Sequence, residues 1–195
     1  MYQAKFNITI GLDRDGTINE DIGDYVTRPG NFIPIDGSLE AVSMLREKKY
    51  NIVIVTNQAG IFKGRMTTSD VENVNLRMLE LLAKAGCPSI DGIYYSTTNL
   101  KSDPFAKPNT GMFNRAQEEL GLKFKGGAYV GDKISDLKTA EKIGAIPILV
   151  KTGHGNDTLE KLNQYANRNL KKKTMVFENL FDFANSLPYN TEQYS

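Results

Sequence analysis

The chain has 195 residues, 40% of them hydrophobic and 24% charged, with a formal net charge of +1. That length suits one domain spanning 1–195 with a sizeable core, and the near-neutral charge offers no basic footprint for nucleic acid. The lone Cys87 excludes an intrachain disulfide and a cysteine-cluster zinc site, no stretch nears the ~20 apolar residues of a membrane span, and Met1–Lys5 leads straight into a strand pattern, so a cytoplasmic protein without a membrane partner is expected.

An apolar run, Phe6 to Leu12, reads as a buried strand that ends in Asp13 and Asp15, followed by Gly16 and Thr17. Residues 18–35 carry Asp21, Asp24 and Tyr25 among the breakers Gly23, Pro29, Gly30 and Pro34. This is long for a strand-to-helix connection, usually ~2–6 residues, and predicts a flap beside the aspartates. Leu39, Val42 and Leu45 mark a helix from Ser38 to Lys49, and Asn51 to Val55 is a central strand ending in Thr56-Asn57-Gln58-Ala59-Gly60. Ser69 with Glu72 suggests a capping box for a long helix with Val71, Val74, Met78, Leu81, Leu82 and Ala85 on its apolar face, closed by Gly86. Ile90 to Tyr95 predicts a third strand. The polar, breaker-rich stretch 96–108 follows, then a helix with Phe113, Ala116 and Leu120 that stops at Gly121. Gly127 to Val130 runs into Gly131-Asp132-Lys133 with Asp136 behind, and Leu137, Ala140 and Ile143 continue as a helix. Ile146 to Val150 is a fifth strand, Leu159, Leu162 and Ala166 a weak helix, Thr174 to Phe177 an edge strand and Leu180 to Leu187 a final helix. The Lys171–Lys173 run reads as a solvated face. Regular alternation of strand and helix predicts an α/β fold, a Rossmann-like open, mostly parallel sheet with helices on both faces.

Polar residues of different kinds follow several of these strands, and parallel strands bring such ends to one edge of the sheet. Asp13, Asp15 and Asp132 can hold a hard divalent cation, for which Mg²⁺ is suited because it takes few carboxylates and completes its shell with water and phosphate oxygens. Lys107 and Thr56 can meet the remaining oxygens of a phosphate. The set predicts phosphoryl transfer: Asp13 attacks phosphorus, the cation and Lys107 stabilise the equatorial oxygens, and Asp15 protonates the leaving alcohol and then activates water. This division asks Asp15 to face away from the metal and to keep an elevated pKa. Binding of Mg²⁺ and phosphate without turnover is the alternative from the same residues. A P-loop and a Gly-x-Gly-x-x-Gly nucleotide motif are both absent.

Asp13-Arg14-Asp15-Gly16-Thr17, Thr56, Lys107 and Gly131-Asp132-x-x-x-Asp136 resemble, in order and spacing, the four motifs of the haloacid dehalogenase superfamily of phosphatases. Leu12 to Asn19, Val55 to Ile61 with Gly64, Asp91 to Tyr95, Lys107-Pro108-x-x-Gly111-Met112 and Val130 to Lys133 are similar, more narrowly, to D-glycero-D-manno-heptose 1,7-bisphosphate phosphatases and their histidinol phosphatase relatives. The resemblance implies a HAD-like domain without a large cap and removal of the 7-phosphate of the heptose bisphosphate on the way to surface glycans, with histidinol phosphate as the second substrate reading. It implies Asp13 as nucleophile, Asp15 as acid/base, and Mg²⁺ held by Asp13, the main-chain carbonyl of Asp15 and Asp132, supported by Asp136. Thr56, Asn57 and Lys107 would hold the transferring phosphate. Arg14, Asp21, Asp24, Tyr25, Gln58, Ala59 and Lys133 would line the sugar phosphate.

The chain departs from that family in the stretch 96–108, which is shorter and lacks the three cysteines and histidine of a structural zinc site. No zinc is expected, and Pro104, Phe105 and hydrogen bonds are expected to hold the loop. Ala106 stands where the family has a substrate-recognising arginine. Lys101, Lys63 and Arg65 are the candidates to replace it. A monomer is expected from the charge-rich helix faces.

Overall fold

The β-branched runs assemble into a six-stranded sheet in which every pairing is parallel. The structure, a computed structural model, describes residues 8–164 and 167–190; Phe6, Asn7 and Ala166 of the expected elements lie outside them. The strands are β1 (Thr9–Leu12), β2 (Asn51–Asn57), β3 (Gly92–Ser96), β4 (Ala128–Gly131), β5 (Ile146–Val150) and β6 (Met175–Phe177), in the order β3-β2-β1-β4-β5-β6. The helices are α1 (Ser38–Glu47), α2 (Thr68–Lys84), α3 (Gly111–Leu120), α4 (Ile134–Ile143), α5 (Gly155–Leu162), α6 (Arg168–Lys173) and α7 (Leu180–Ser186). The chain runs outward from β1 to β3 and then returns to pair β4 with the other side of β1. The order therefore reverses between β1 and β4, where an open parallel sheet forms a crevice at its carboxyl edge.

Side chains alternate across the strands and cover both faces. Ile52, Ile54, Ile10 and Leu12 pack with Val42 and Leu45 of α1, Val74 and Met78 of α2, and Phe183 of α7. Val53, Val55 and Tyr129 point the other way, onto Met112, Phe113 and Ala116 of α3. Lys48 closes the α1–α7 contact by donating to the main-chain oxygens of Ala184 (2.9 Å), Asn185 (3.2 Å) and Leu187 (2.6 Å) at the end of α7. A cation there satisfies carbonyls that the helix leaves unpaired.

Several local expectations shift. The capping box of α2 is Thr67 with Asp70 rather than Ser69 with Glu72: Asp70 N–H donates to Thr67 Oγ1 (3.1 Å) and Thr67 N–H to Asp70 Oδ2 (2.7 Å). β3 starts at Gly92 rather than Ile90, with the Asp91 carboxylate accepting from Ile52 N–H and from Arg46 Nη2, both at 2.7 Å. The weak helix after β5 gives way to two, α5 and α6, and the three lysines lie exposed on α6, as a solvated face should.

The segment 18–35 is pinned at its base. Ile35 N–H donates to Ile18 O (2.9 Å), Glu20 N–H to Ile33 O (2.8 Å) and Ser38 Oγ to Ile18 O (2.6 Å). Ile18, Val26 and Phe32 are buried in the core. Glu20 and 22–24 at the tip are exposed, as are 28–31 and Ile33, with Asp21 partly covered. The loop 96–108 is held by hydrogen bonds and, at its end, by buried Ala106 and the ion pairs of Lys107. The Asn109 amide donates to Lys101 O (2.9 Å) and Asp103 O (2.8 Å), and Phe105 N–H donates to Asp103 Oδ1 (2.9 Å). Pro104 and Phe105, expected as anchors, are both exposed, because this short loop encloses no core of its own.

Phe113 is fully buried and meets Phe124 and Tyr129 edge-on, with ring centroids 5.0 and 4.9 Å away. Phe113→Ala is expected to cost ~3–5 kcal/mol, read as a lower urea midpoint at unchanged slope. A loss below ~1 kcal/mol would contradict a close-packed ring cluster at this position.

Candidate active site

β1 and β4 deliver the acidic cluster. Asp13 N–H donates to Val130 O at 2.9 Å, which extends the β1–β4 pairing past the strand end and fixes Asp13 beside Gly131-Asp132. One oxygen each from Asp13, Asp132 and Asp136 lies within 4.8 Å of the others, and all three side chains are buried. Gly16 (φ 83°) and Gly153 (φ 53°) close over Asp132; a Cβ on either would lie 2.2 or 2.4 Å from Asp132 Oδ2, so the tight turn has no room for a side chain.

Lys107 is buried among these carboxylates. Its Nζ lies 2.9 Å from Asp13 Oδ1 and 2.7 Å from Asp136 Oδ1, and donates to the Tyr129 hydroxyl (2.8 Å) and Val55 O (3.2 Å). Burial disfavours its charge, but Asp13 and Asp136 outweigh burial and hold its pKa above the usual lysine value. Tyr129 in turn donates to Val55 O at 2.6 Å. Asn57, expected to hold phosphate, has its side-chain amide on the main chain of Lys107: Oδ1 accepts from Lys107 N–H (3.0 Å) and Nδ2 donates to Lys107 O (3.3 Å). Thr56 is buried and its Oγ1 accepts from Gln58 Nε2 at 3.1 Å.

The two motif aspartates face different partners. Asp13 Oδ1 accepts from Arg14 N–H at 2.8 Å and pairs with Lys107. The Asp15 carboxylate turns away from the cluster to Arg14 Nε (3.2 Å) and Nη2 (3.1 Å), Asn19 Nδ2 (2.9 Å) and Gln58 Nε2 (2.8 Å). The side chain of Asp15 is therefore directed away from the Asp13–Asp132–Asp136 cluster. Its expected elevated pKa is corrected. Burial pushes the carboxyl up, but the Arg14 guanidinium and the hydrogen bonds from Asn19 and Gln58 outweigh burial and hold it below the usual aspartate value. Arg14 is corrected too. It is fully buried, with Nη1 donating to Asn75 Oδ1 (3.0 Å) on α2, so its side chain does not line the substrate.

A cleft of about 320 Å³ opens beside Asp15, lined by Asp21, Asp24, Tyr25, Gln58, Lys133 and His154 among others. Asp24 pairs with Arg65 at 3.2 Å, and Lys63 Nζ stands 5.6 Å over the Tyr25 ring. Ala59 is buried in the turn after β2, where its carbonyl accepts from Lys63 N–H. Ala106 is fully buried. None of Lys63, Arg65 and Lys101, the expected substitutes for the arginine, is among the residues lining the cleft.

Four partners in the site were not anticipated: Tyr129, Asn75, Thr152 and His154. Asn75 had a visible signal, a polar residue on the apolar stripe between Val71 and Met78. Tyr129 looks like any core aromatic. Thr152 donates to Gly16 O at 2.7 Å, across 136 residues of sequence, and His154 N–H donates to Asp132 Oδ2 at 2.8 Å from the same turn after β5.

The donor set fits a hard cation. Asp132 Oδ1 is buried without a hydrogen-bond partner, an arrangement that is costly unless something else meets it. The surrounding ligand atoms are carboxylate oxygens, with no sulfur or imidazole nitrogen of the kind that selects zinc. Burial, with repulsion from Asp136 and Asp13 added and Lys133 opposing, raises Asp132 to about 8; burial also raises Asp136, against the pull of Lys107.

An all-parallel sheet carrying this aspartate pair, a buried lysine and a further acidic cluster at its switch point defines a phosphatase of the haloacid dehalogenase type. A HAD-hydrolase-like family model matches residues 104–182. The chain is 40% identical over 166 residues, 78% of this chain and 83% of the relative, to a D-glycero-D-manno-heptose-1,7-bisphosphate 7-phosphatase of Chlorobaculum tepidum. It is 34% identical to the corresponding protein of Pseudomonas aeruginosa, over 90% of this chain and 95% of that one. The crystal structure of the Bordetella bronchiseptica D,D-heptose 1,7-bisphosphate phosphatase with magnesium and phosphate superposes with a TM-score of 0.82 at 30% identity, covering 91% of this chain and 96% of that one. The chain belongs to the heptose-1,7-bisphosphate 7-phosphatase family.

Without a cation, the folded protein keeps a proton on Asp132 up to about pH 8, against ~4 in the unfolded chain. The folded state then binds more protons across that window, so its stability falls as pH rises through it. A cation displaces that proton. The rise in Tm given by saturating Mg²⁺ is therefore expected to be larger at pH 8 than at pH 6. A Tm rise independent of pH would show that cation binding releases no proton from Asp132 in this range.

Proposed function

We propose that this phosphatase releases the 7-phosphate of D-glycero-D-manno-heptose 1,7-bisphosphate, with Mg²⁺, through an aspartyl-phosphate on Asp13. The observation that carries the mechanism is the split between the two motif aspartates: Asp13 lies in the Lys107–Asp132–Asp136 cluster, and Asp15 faces the cleft. Support for the substrate comes from the names and extent of the relatives, none of which points to histidinol phosphate. An intact acid/base partner for Asp13 also argues against a phospho-ligand sensor, which needs none.

Asp13 and Asp132, with the Asp15 carbonyl, would hold Mg²⁺, and Asp136 would keep Lys107 in place. Bound there, Mg²⁺ supplies charge stabilisation for the transferring phosphoryl group. A carboxylate oxygen of Asp13 forms the bond to phosphorus as the sugar oxygen leaves, and Asp15 gives that oxygen its proton. Asp15 then takes a proton from the water that attacks phosphorus, and the Asp13–phosphorus bond breaks. A resting Asp15 below its usual pKa suits the second half. Entry of a phosphate dianion beside it adds like charge and raises its pKa, which suits the first. Lys107 and Thr56 meet phosphate oxygens, while Asn57 orients Lys107.

The same reading includes a single uncapped domain, a monomer, a cytoplasmic place ahead of surface-glycan synthesis and no structural zinc. Among the described residues no helix is long and apolar enough to cross a membrane, and the stretch 96–108 offers no cysteine or histidine.

Phosphate release from the heptose bisphosphate, histidinol phosphate and a panel of sugar phosphates tests the assignment, with Mg²⁺ and with EDTA. The heptose bisphosphate is expected to be turned over best, and EDTA to abolish release. Asp13→Asn is expected to lower kcat by at least ~10³ while the far-UV spectrum keeps its native shape; wild-type turnover in that variant would refute covalent catalysis by Asp13.

A further inference from the structure

Asn75 is a polar residue on the apolar stripe of α2, buried alongside Val74 and Met78, which pack into the core. A side-chain amide in such a place is costly unless it is bonded. Its Oδ1 accepts from Arg14 Nη1 at 3.0 Å, and that guanidinium is itself fully buried. Asn75 is not among the residues lining the cleft, so any part it plays in the reaction passes through Arg14.

The other side of the guanidinium meets Asp15. Nε lies 3.2 Å from Asp15 Oδ1 and Nη2 lies 3.1 Å from Asp15 Oδ2. Two donors along one edge of a rigid planar fork, on the two oxygens of one carboxylate, tie the plane of the carboxylate to the plane of the fork. The further donors to Asp15 reach one oxygen each, Asn19 Nδ2 on Oδ1 at 2.9 Å and Gln58 Nε2 on Oδ2 at 2.8 Å. Arg14 is therefore the partner that sets the angle of Asp15. It stands on a long side chain with several torsions, and can orient the carboxylate only as far as something orients the guanidinium. Asn75 holds it from the edge that Asp15 leaves free, and the buried guanidinium has no bulk water to turn to instead.

We propose that Asn75 is a positioning residue for proton transfer: through Arg14 it sets the Asp15 carboxyl at the angle that serves the leaving oxygen. The proposal rests on the reading of Asp15 as acid/base. In that step the proton passes from Asp15 to the sugar oxygen as the bond between that oxygen and phosphorus breaks, and the donor atom must lie within hydrogen-bond reach of it. The attack of Asp13 and the charge of Lys107 make no such demand on Arg14. A residue that merely satisfied a buried cation would affect every substrate alike.

The test compares two leaving groups. Heptose 1,7-bisphosphate loses an alcohol that needs the proton, and p-nitrophenyl phosphate loses a phenolate that does not. The parameter kcat/KM covers the steps up to the aspartyl-phosphate, so its later hydrolysis, common to both, does not enter. In Asn75→Leu, kcat/KM for the heptose bisphosphate is expected to fall at least ~tenfold, and that for p-nitrophenyl phosphate less than ~threefold. Asn75→Asp, which keeps the acceptor oxygen, is expected to return the heptose bisphosphate to within ~threefold of wild type. Turnover of p-nitrophenyl phosphate shows that a variant has folded, and Asn75→Ala reads the same ratio where the leucine variant does not fold. Equal loss on both substrates, no loss at all, or no recovery in Asn75→Asp would overturn the role of Asn75. Asp15→Asn is expected to show the same leaving-group bias more strongly. Equal loss on both substrates in that variant would instead overturn the acid/base reading beneath the proposal, and wild-type enzyme inert on the bisphosphate would overturn the substrate.

Discussion

A lysine ammonium buried among carboxylates constrains everything at the carboxyl edge of the sheet. Lys107 meets Asp13 and Asp136 within 3 Å, with Tyr129 and Val55 O taking its remaining reach. Removing one partner from such a group leaves an uncompensated buried charge, which typically costs ~3–5 kcal/mol. The elements that carry the partners are therefore bound to one another. β2 brings Val55 and Asn57, β4 brings Tyr129, and the first turn of α4 brings Asp136. The aromatic cluster beneath belongs to the same arrangement, because Phe113 packs on the ring whose hydroxyl touches the lysine.

Within that frame a second buried cation sorts the aspartates. Arg14 lies between the two in sequence, but its guanidinium reaches only Asp15 and then Asn75 on α2. Adjacent positions in a Asp-x-Asp motif thus acquire opposite surroundings. Asp13 is held with Lys107, Asp132 and Asp136, and Asp15 is braced by Arg14, Asn19 and Gln58 toward the cleft. The bracing explains why the resting pKa of Asp15 is low rather than high: a carboxylate that must be held still is most easily held by donors, and donors favour its ionised form.

The surroundings of the site differ more from the family pattern than its centre does. The stretch 96–108, where the resemblance implies a zinc-binding loop, is short and stitched with main-chain and Asn109 hydrogen bonds. Ala106, where the resemblance implies an arginine, is buried, while His154 enters the cleft from the turn after β5.

Alternating periodicity was enough to read the α/β architecture, because apolar runs of strand length separated by amphipathic helices admit few other packings. Motif spacing was enough to bring Asp13, Thr56, Lys107 and Asp132 together, since parallel strands deliver their following residues to one edge. The capping box of α2 was displaced because Thr67 and Ser69 offer nearly equal local chemistry, and tertiary packing chose between them. The burial of Arg14, the assignment of Asn57 to Lys107, the hydroxyl of Tyr129 and the grip of His154 on Asp21 were invisible for a common reason. Each joins residues far apart in the chain or depends on which way a side chain turns, and neither leaves a local pattern. The chain by itself determined which chemical groups stand at the ends of its strands. The packed structure decided which of them face one another, because in a low-dielectric interior a charged side chain turns to the partner that satisfies it, wherever in the sequence that partner lies.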